Sequence, residues 1–106
     1  MAAPLINVPA SAKRGDVVEI KTLIRHPMET GYRRGISGEV IARDIISSFS
    51  CTYNGEEIFR AELLPAVAAN PFVSFFTIAT ETGDLVFTWT DEAGQRQTAT
   101  ATITVS

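Results

Sequence analysis

From Asp16 to His26 the chain alternates. Val18, Ile20, Thr22 and Ile24 share one face, and Glu19, Lys21 and Arg25 the other, the period of a half-buried strand. Pro27 ends that strand because it cannot donate to a ladder. Ser48 to Tyr53 puts Phe49, Cys51 and Tyr53 on one face. Asn54-Gly55 follows, the pair a two-residue hairpin favours because both positions need positive φ. Glu56 to Leu63 is the return strand, with Phe59, Ala61 and Leu63 inward. Pro71 opens a strand that runs to about Thr80. Leu85, Phe87 and Trp89 share a face between Leu85 and Thr90, and Arg96 to Val105 turns Ala99, Ala101, Ile103 and Val105 inward. Pro27 to Gly38 reads as a long loop, and Leu64 to Asn70 as a connection of small residues. Glu39 to Ile46 suits either a short strand or a helical turn.

The pattern predicts about seven strands in a two-sheet antiparallel β-sandwich. Thirty of the 106 residues are Val, Ile or Thr, which is strand chemistry. At this length, with 45% apolar and 20% charged residues, one domain over 1–106 can build its own core. The net charge of −3 argues against duplex DNA as a partner. No stretch approaches the roughly 20 apolar residues of a membrane helix.

Chemistry-bearing residues are sparse. The lone Cys51 rules out an intrachain disulfide. Together with the lone His26 it cannot supply a structural zinc site. A haem or iron–sulfur site held by this chain alone is equally unsupported. No phosphate-loop, dinucleotide, zinc-protease or nucleophile-elbow signature occurs. We therefore expect no catalytic, cofactor or metal residues. As a nucleophile, Cys51 needs exposure and a base or cation beside it. Its place between Phe49 and Tyr53 suits a buried core thiol. His26 is read as structural or surface, and a Cys51–His26 dyad needs the two brought together by the fold.

Two stretches suggest contact surfaces. In Phe72 to Ile78, Val73 and Phe75 fall on one face and Phe72, Phe76 and Ile78 on the other. A sandwich strand has one core face, so large apolar groups on both faces call for a second cover, from a partner chain or from a loop of this one. Either set suits the core, so Phe72, Phe75, Phe76 and Ile78 all stand as candidate interface residues. Arg25, Arg33, Arg34 and Arg43, with Tyr32, make the long loop locally basic. Arginine forks suit carboxylate or sulfur-oxyanion groups, so Arg25, Tyr32, Arg33 and Arg34 form a candidate docking loop. The alternative is a solvated loop balanced by Glu29 and Glu39. The outward threonines 98, 100, 102 and 104 read as a solvated sheet face.

Four segments carry a resemblance: Ile20-Lys21-Thr22-Leu23-Ile24-Arg25-His26-Pro27-Met28-Glu29-Thr30-Gly31, then Ser50 to Gly55, then Ala69-Asn70-Pro71-Phe72 with Ser74-Phe75-Phe76, and Thr88 to Asp91. In these the chain resembles the SoxZ family, subunits of the sulfur-oxidising carrier complex of bacteria. The resemblance implies an immunoglobulin-like sandwich that pairs with SoxY, whose C-terminal arm bears the carrier cysteine. It implies a non-catalytic scaffold role and transient docking of the SoxAX, SoxB and SoxCD enzymes. It also implies a periplasmic site of action, reached by export with a signal-bearing partner. Met1 to Val8 carries no basic start or apolar run of signal length, and Ala101 to Ser106 has no cysteine or glycine arm. Both fit the scaffold rather than the carrier subunit. The rival readings are a small thiol enzyme using Cys51 and a generic β-sandwich interaction module.

Overall fold

The computed structural model describes residues 3–64, 67 and 69–106. Eight strands follow one another: β1 Leu5–Asn7, β2 Ser11–Ala12, β3 Val17–Leu23, β4 Ile46–Tyr53, β5 Glu56–Glu62, β6 Phe72–Ile78, β7 Gly83–Asp91 and β8 Arg96–Val105. They form a three-stranded sheet, β1-β3-β6, and a five-stranded sheet, β2-β8-β7-β4-β5. Every named pair is antiparallel except β2 with β8. The architecture is the two-sheet sandwich that the alternation predicts, and it is consistent with the immunoglobulin-like form that the family resemblance implies.

The core is the sum of the inward faces. Val18, Ile20, Thr22 and Ile24 are all buried, as are Phe49, Cys51, Tyr53, Leu85, Phe87, Trp89 and Ile103. Phe49 packs tilted against Trp89 at 5.1 Å between ring centroids. Phe75 of one sheet stacks on Phe59 of the other. The hairpin between β4 and β5 has Asn54 at φ 49° and Gly55 at φ 85°, the conformation its two residues demand.

The structure corrects the sequence reading at several points. β1 and β2 add two strands too short to show an alternation. β3 stops at Leu23, because Ile24 continues buried but only its N–H, donated to the Pro71 carbonyl, stays on the ladder. Glu39 to Asp44 is neither strand nor helix. It folds back on the first half of the loop through bridges between Glu29 and Asp44 and between Arg34 and Val40. The small-residue connection at 64–70 lies partly outside the described residues, as does the start of the N-terminal segment.

Candidate partner interface

Among the described residues β6 is bordered by β3 alone, so the outer face of the smaller sheet is read from their register. Leu5, Leu23 and Phe72 lie in one row across the three strands. Asn7, Lys21 and Ser74 make the next row, then Glu19 with Phe76, then Val17 with Ile78. Two apolar rows thus flank a polar centre, where Lys21 and Glu19 form an ion pair at 3.5 Å. Phe72, Phe76 and Ile78 are 60%, 65% and 55% exposed, and Leu5 and Val17 are exposed as well. Large apolar groups grouped like this on a small domain mark a surface meant for contact. Between Leu5, Leu23 and Phe72 the face sinks into a notch of about 270 Å³, rimmed by Asn7 and Lys21.

The two faces of β6 are now assigned. Phe75 is buried and Val73 half-buried, so both belong to the core. Phe75 therefore leaves the set of candidate interface residues, because its ring is already committed to Phe59. Phe72, Phe76 and Ile78 stay, and β1 and β3 add Leu5, Val17 and Leu23. A signal for those additions existed in the doublets Val17-Val18 and Leu23-Ile24. Each puts an apolar side chain on both faces, as Phe75-Phe76 does.

The basic loop is less basic than its composition. Arg33 makes a two-point contact with Glu29, at 2.6 and 3.2 Å. This hydrogen bonding holds the Glu29 carboxyl below its ordinary range and raises the Arg33 guanidinium. Arg43 grips Glu92 in the same way, at 2.7 and 2.8 Å. Arg34 donates to the Gly38 carbonyl at 2.9 Å, a contact that leaves its charge uncompensated. Arg25 is exposed, with no carboxylate among the described residues within ion-pair distance. Tyr32 and Ile36 of the same loop are strongly exposed. Of the candidate docking residues, Arg25, Arg34 and Tyr32 keep free chemistry, and Arg33 is neutralised.

Neither candidate catalytic side chain is disposed for catalysis. Cys51 is fully buried between its cross-strand neighbours Phe59 and Phe87. Burial pushes its thiol from 9.0 up to about 12, so at neutral pH it is almost wholly the weakly nucleophilic thiol. His26 is a buried clamp. Its Nδ1 accepts the Met28 N–H at 3.0 Å, its Nε2 lies 3.4 Å from Asp44 Oδ1, and its backbone N–H donates to Asn70 Oδ1 at 2.9 Å. It thereby ties the end of β3 to both the long loop and the turn before β6. The backbone at Met28 and Asn70 has positive φ, 52° and 53°, conformations these contacts help hold. Cys51 and His26 thus have separate sets of partners. Among the described residues no three His, Cys, Asp or Glu side chains come together as a metal site would need.

Fold and site together define an immunoglobulin-like β-sandwich with a buried thiol and an open apolar sheet face. The chain belongs to the SoxZ family: residues 6–102 match the family described as sulphur oxidation protein SoxZ. It is thus a subunit of a sulfur-oxidation system. Comparison with curated protein sequences returned no significant match. Among solved structures, the sulfur carrier protein SoxY from Chlorobium limicola f thiosulfatophilum is similar over 100% of this chain and 81% of that one. It has a TM-score of 0.70 and 18% identity. A superoxide reductase (neelaredoxin) from Ignicoccus hospitalis is similar over 99% of this chain and 81% of that one, with a TM-score of 0.73 and 17% identity. A third, a variant superoxide reductase (neelaredoxin) from Archaeoglobus fulgidus in the reduced form, matches over 96% and 87%, with a TM-score of 0.65 and 19% identity. At such identities these likenesses speak for the shared fold alone.

Proposed function

We propose that this chain is the non-catalytic scaffold subunit of a SoxYZ-type sulfur-carrier heterodimer. In this reading a SoxY-like subunit carries the sulfur intermediates on its own C-terminal cysteine, and this chain holds that subunit. The observation that carries the reading is the outer face of β1-β3-β6, where Leu5, Val17, Phe72, Phe76 and Ile78 are all exposed. Burying two such phenylalanines in a contact gives the kind of aromatic anchor that dominates stable interfaces. The state of Cys51 supports a scaffold over a thiol enzyme, because a thiol raised to about 12 cannot readily accept or pass on sulfur.

The long loop, with Arg25, Arg34 and Tyr32, forms a second contact region, for transient docking of SoxAX-, SoxB- and SoxCD-like enzymes. The place of action is the periplasm, reached by export with the carrier subunit. The test is co-expression with a SoxY-like chain, followed by size and mass analysis. A one-to-one complex is expected. Two separate monomers at micromolar concentration would end this reading and leave a generic sandwich module in its place.

A further inference from the structure

Each of the two sheets has two edges, and natural proteins blunt such edges against unwanted pairing. β1 and β2 are blunted by length, with three and two residues. β5 is blunted twice. It carries exposed Glu56, Glu57, Arg60 and Glu62. Its register with β4 also slips, with Cys51 opposite Phe59 but Thr52 opposite Glu57, so Ile58 bulges. β6 has none of these devices. Its seven residues carry no charge and no proline, and pair with β3 in unbroken register from Leu23–Phe72 to Val17–Ile78.

The flanking hydrogen bonds show which backbone groups β6 leaves over. Ile24 N–H donates to the Pro71 carbonyl, and Ala79 N–H to the Asp16 carbonyl. Antiparallel partners alternate between hydrogen-bonded and non-bonded pairs. These two bonds therefore assign Val73, Phe75 and Thr77 to the bonded positions facing β3. The N–H and C=O groups of Phe72, Ser74, Phe76 and Ile78 point the other way, toward the open edge. Among the described residues, no backbone hydrogen bond outside the strand ladders reaches them. The residues whose side chains make the apolar face are thus the residues whose backbone is unpaired.

We infer that β6 is a pairing edge, extended in the heterodimer by an antiparallel edge strand of the SoxY-like subunit, so that one sheet runs through both proteins. This rests on the carrier reading above. On that reading the occupant is the SoxY-like subunit, and the solved SoxY shares the sandwich fold over 100% of this chain and 81% of its own. Two like sandwiches can bring equivalent edges together about a local twofold axis, an arrangement that makes antiparallel pairs. Side chains of the added strand then extend the apolar face past Phe72, Phe76 and Ile78, so backbone pairing and side-chain packing reinforce each other.

The decisive variant is Ser74→Pro. It removes an N–H aimed at the open edge and leaves the bonds to β3 at Val73, Phe75 and Thr77 in place. Ser74→Ala is the control. With the wild-type complex in hand, we expect the Ser74→Pro dissociation constant to rise at least tenfold, while Ser74→Ala binds as wild type. The second measurement needs no variant. Amide hydrogen exchange of the wild-type chain, free and in complex, should slow at Phe72, Ser74, Phe76 and Ile78 at least tenfold on binding. If Ser74→Pro folds and binds as tightly as wild type, or these four amides exchange equally fast in the intact complex, strand pairing is overturned and the carrier reading stands. If the wild-type chain forms no complex with the SoxY-like subunit, the carrier reading falls and the pairing with it.

Discussion

The ring of Phe75 lies parallel to that of Phe59 across the sandwich, with centroids 4.4 Å apart and planes 5° from coplanar. The stack joins the smaller sheet to the edge strand of the larger one. It also sets the orientation of β6, because a strand that turns Phe75 inward must turn Phe76 outward.

The two neighbours should therefore fail differently. Phe75→Ala empties a core site and should cost about 3–5 kcal/mol of stability. Phe76→Ala should change stability by no more than about 0.5 kcal/mol and weaken the heterodimer by roughly 1–4 kcal/mol. Chemical denaturation and titration of the carrier subunit read the two effects separately. An equal loss of stability in both variants contradicts the assignment of faces.

For Cys51 the expectation concerns pH. The folded thiol holds its proton to about 12, against 9.0 for the ordinary group. Its contribution to stability is thus complete below pH 9. As pH rises from 9 toward 12 the unfolded chain ionises first, and stability should fall by up to about 1.4 kcal/mol per pH unit. Replacement by Ala removes that slope, which denaturant titrations at pH 8, 9 and 10 will show. A maleimide should label the native protein only as fast as the chain opens.

The arginines of the loop divide into paired and free. Removing the neutral pair together, Glu29→Gln with Arg33→Ala, leaves the local field unchanged, and complex-dependent turnover should keep its wild-type rate. Removing Arg25 and Arg34 lowers the field and should slow association, more at low salt than at high. Stopped-flow measurement at two ionic strengths separates these outcomes, and equal rates for all variants would return the loop to a solvated role.

His26→Ala is expected to lose about 1–3 kcal/mol, since it strands the buried Met28 N–H, without altering sulfur transfer by the assembled complex. Thermal unfolding and turnover of the same preparation check both halves. Loss of turnover in a well-folded variant would give His26 a chemical role.

Much of this was legible in the chain. A two-residue period reports burial directly, so Val18 to Ile24 and Leu85 to Trp89 declared their inner faces, and Asn54-Gly55 declared its hairpin. β1 and β2 were not legible, because strands of three and two residues are made by pairing rather than by propensity. In Phe72 to Ile78 the sequence shows that both faces are apolar, but which one turns inward depends on the Phe59 stack, a contact between residues distant in sequence. The ion pairs that neutralise Arg33 and Arg43 were hidden for different reasons. Glu29 is close in sequence and offers a visible counter-charge, though not its partner, whereas Glu92 is brought to Arg43 only by the fold.

The uncharged β6 edge also bears on how much of this subunit a cell can safely keep without its partner. A chain made in excess presents the open-edge backbone of Phe72, Ser74, Phe76 and Ile78, and the exposed rings of Phe72 and Phe76, to every other copy. Its tendency to self-associate grows with concentration, since each copy is a template for the next. Balanced synthesis of the two subunits then becomes a requirement of solubility, and surplus chain a natural target for the chaperones and proteases that bind extended apolar segments.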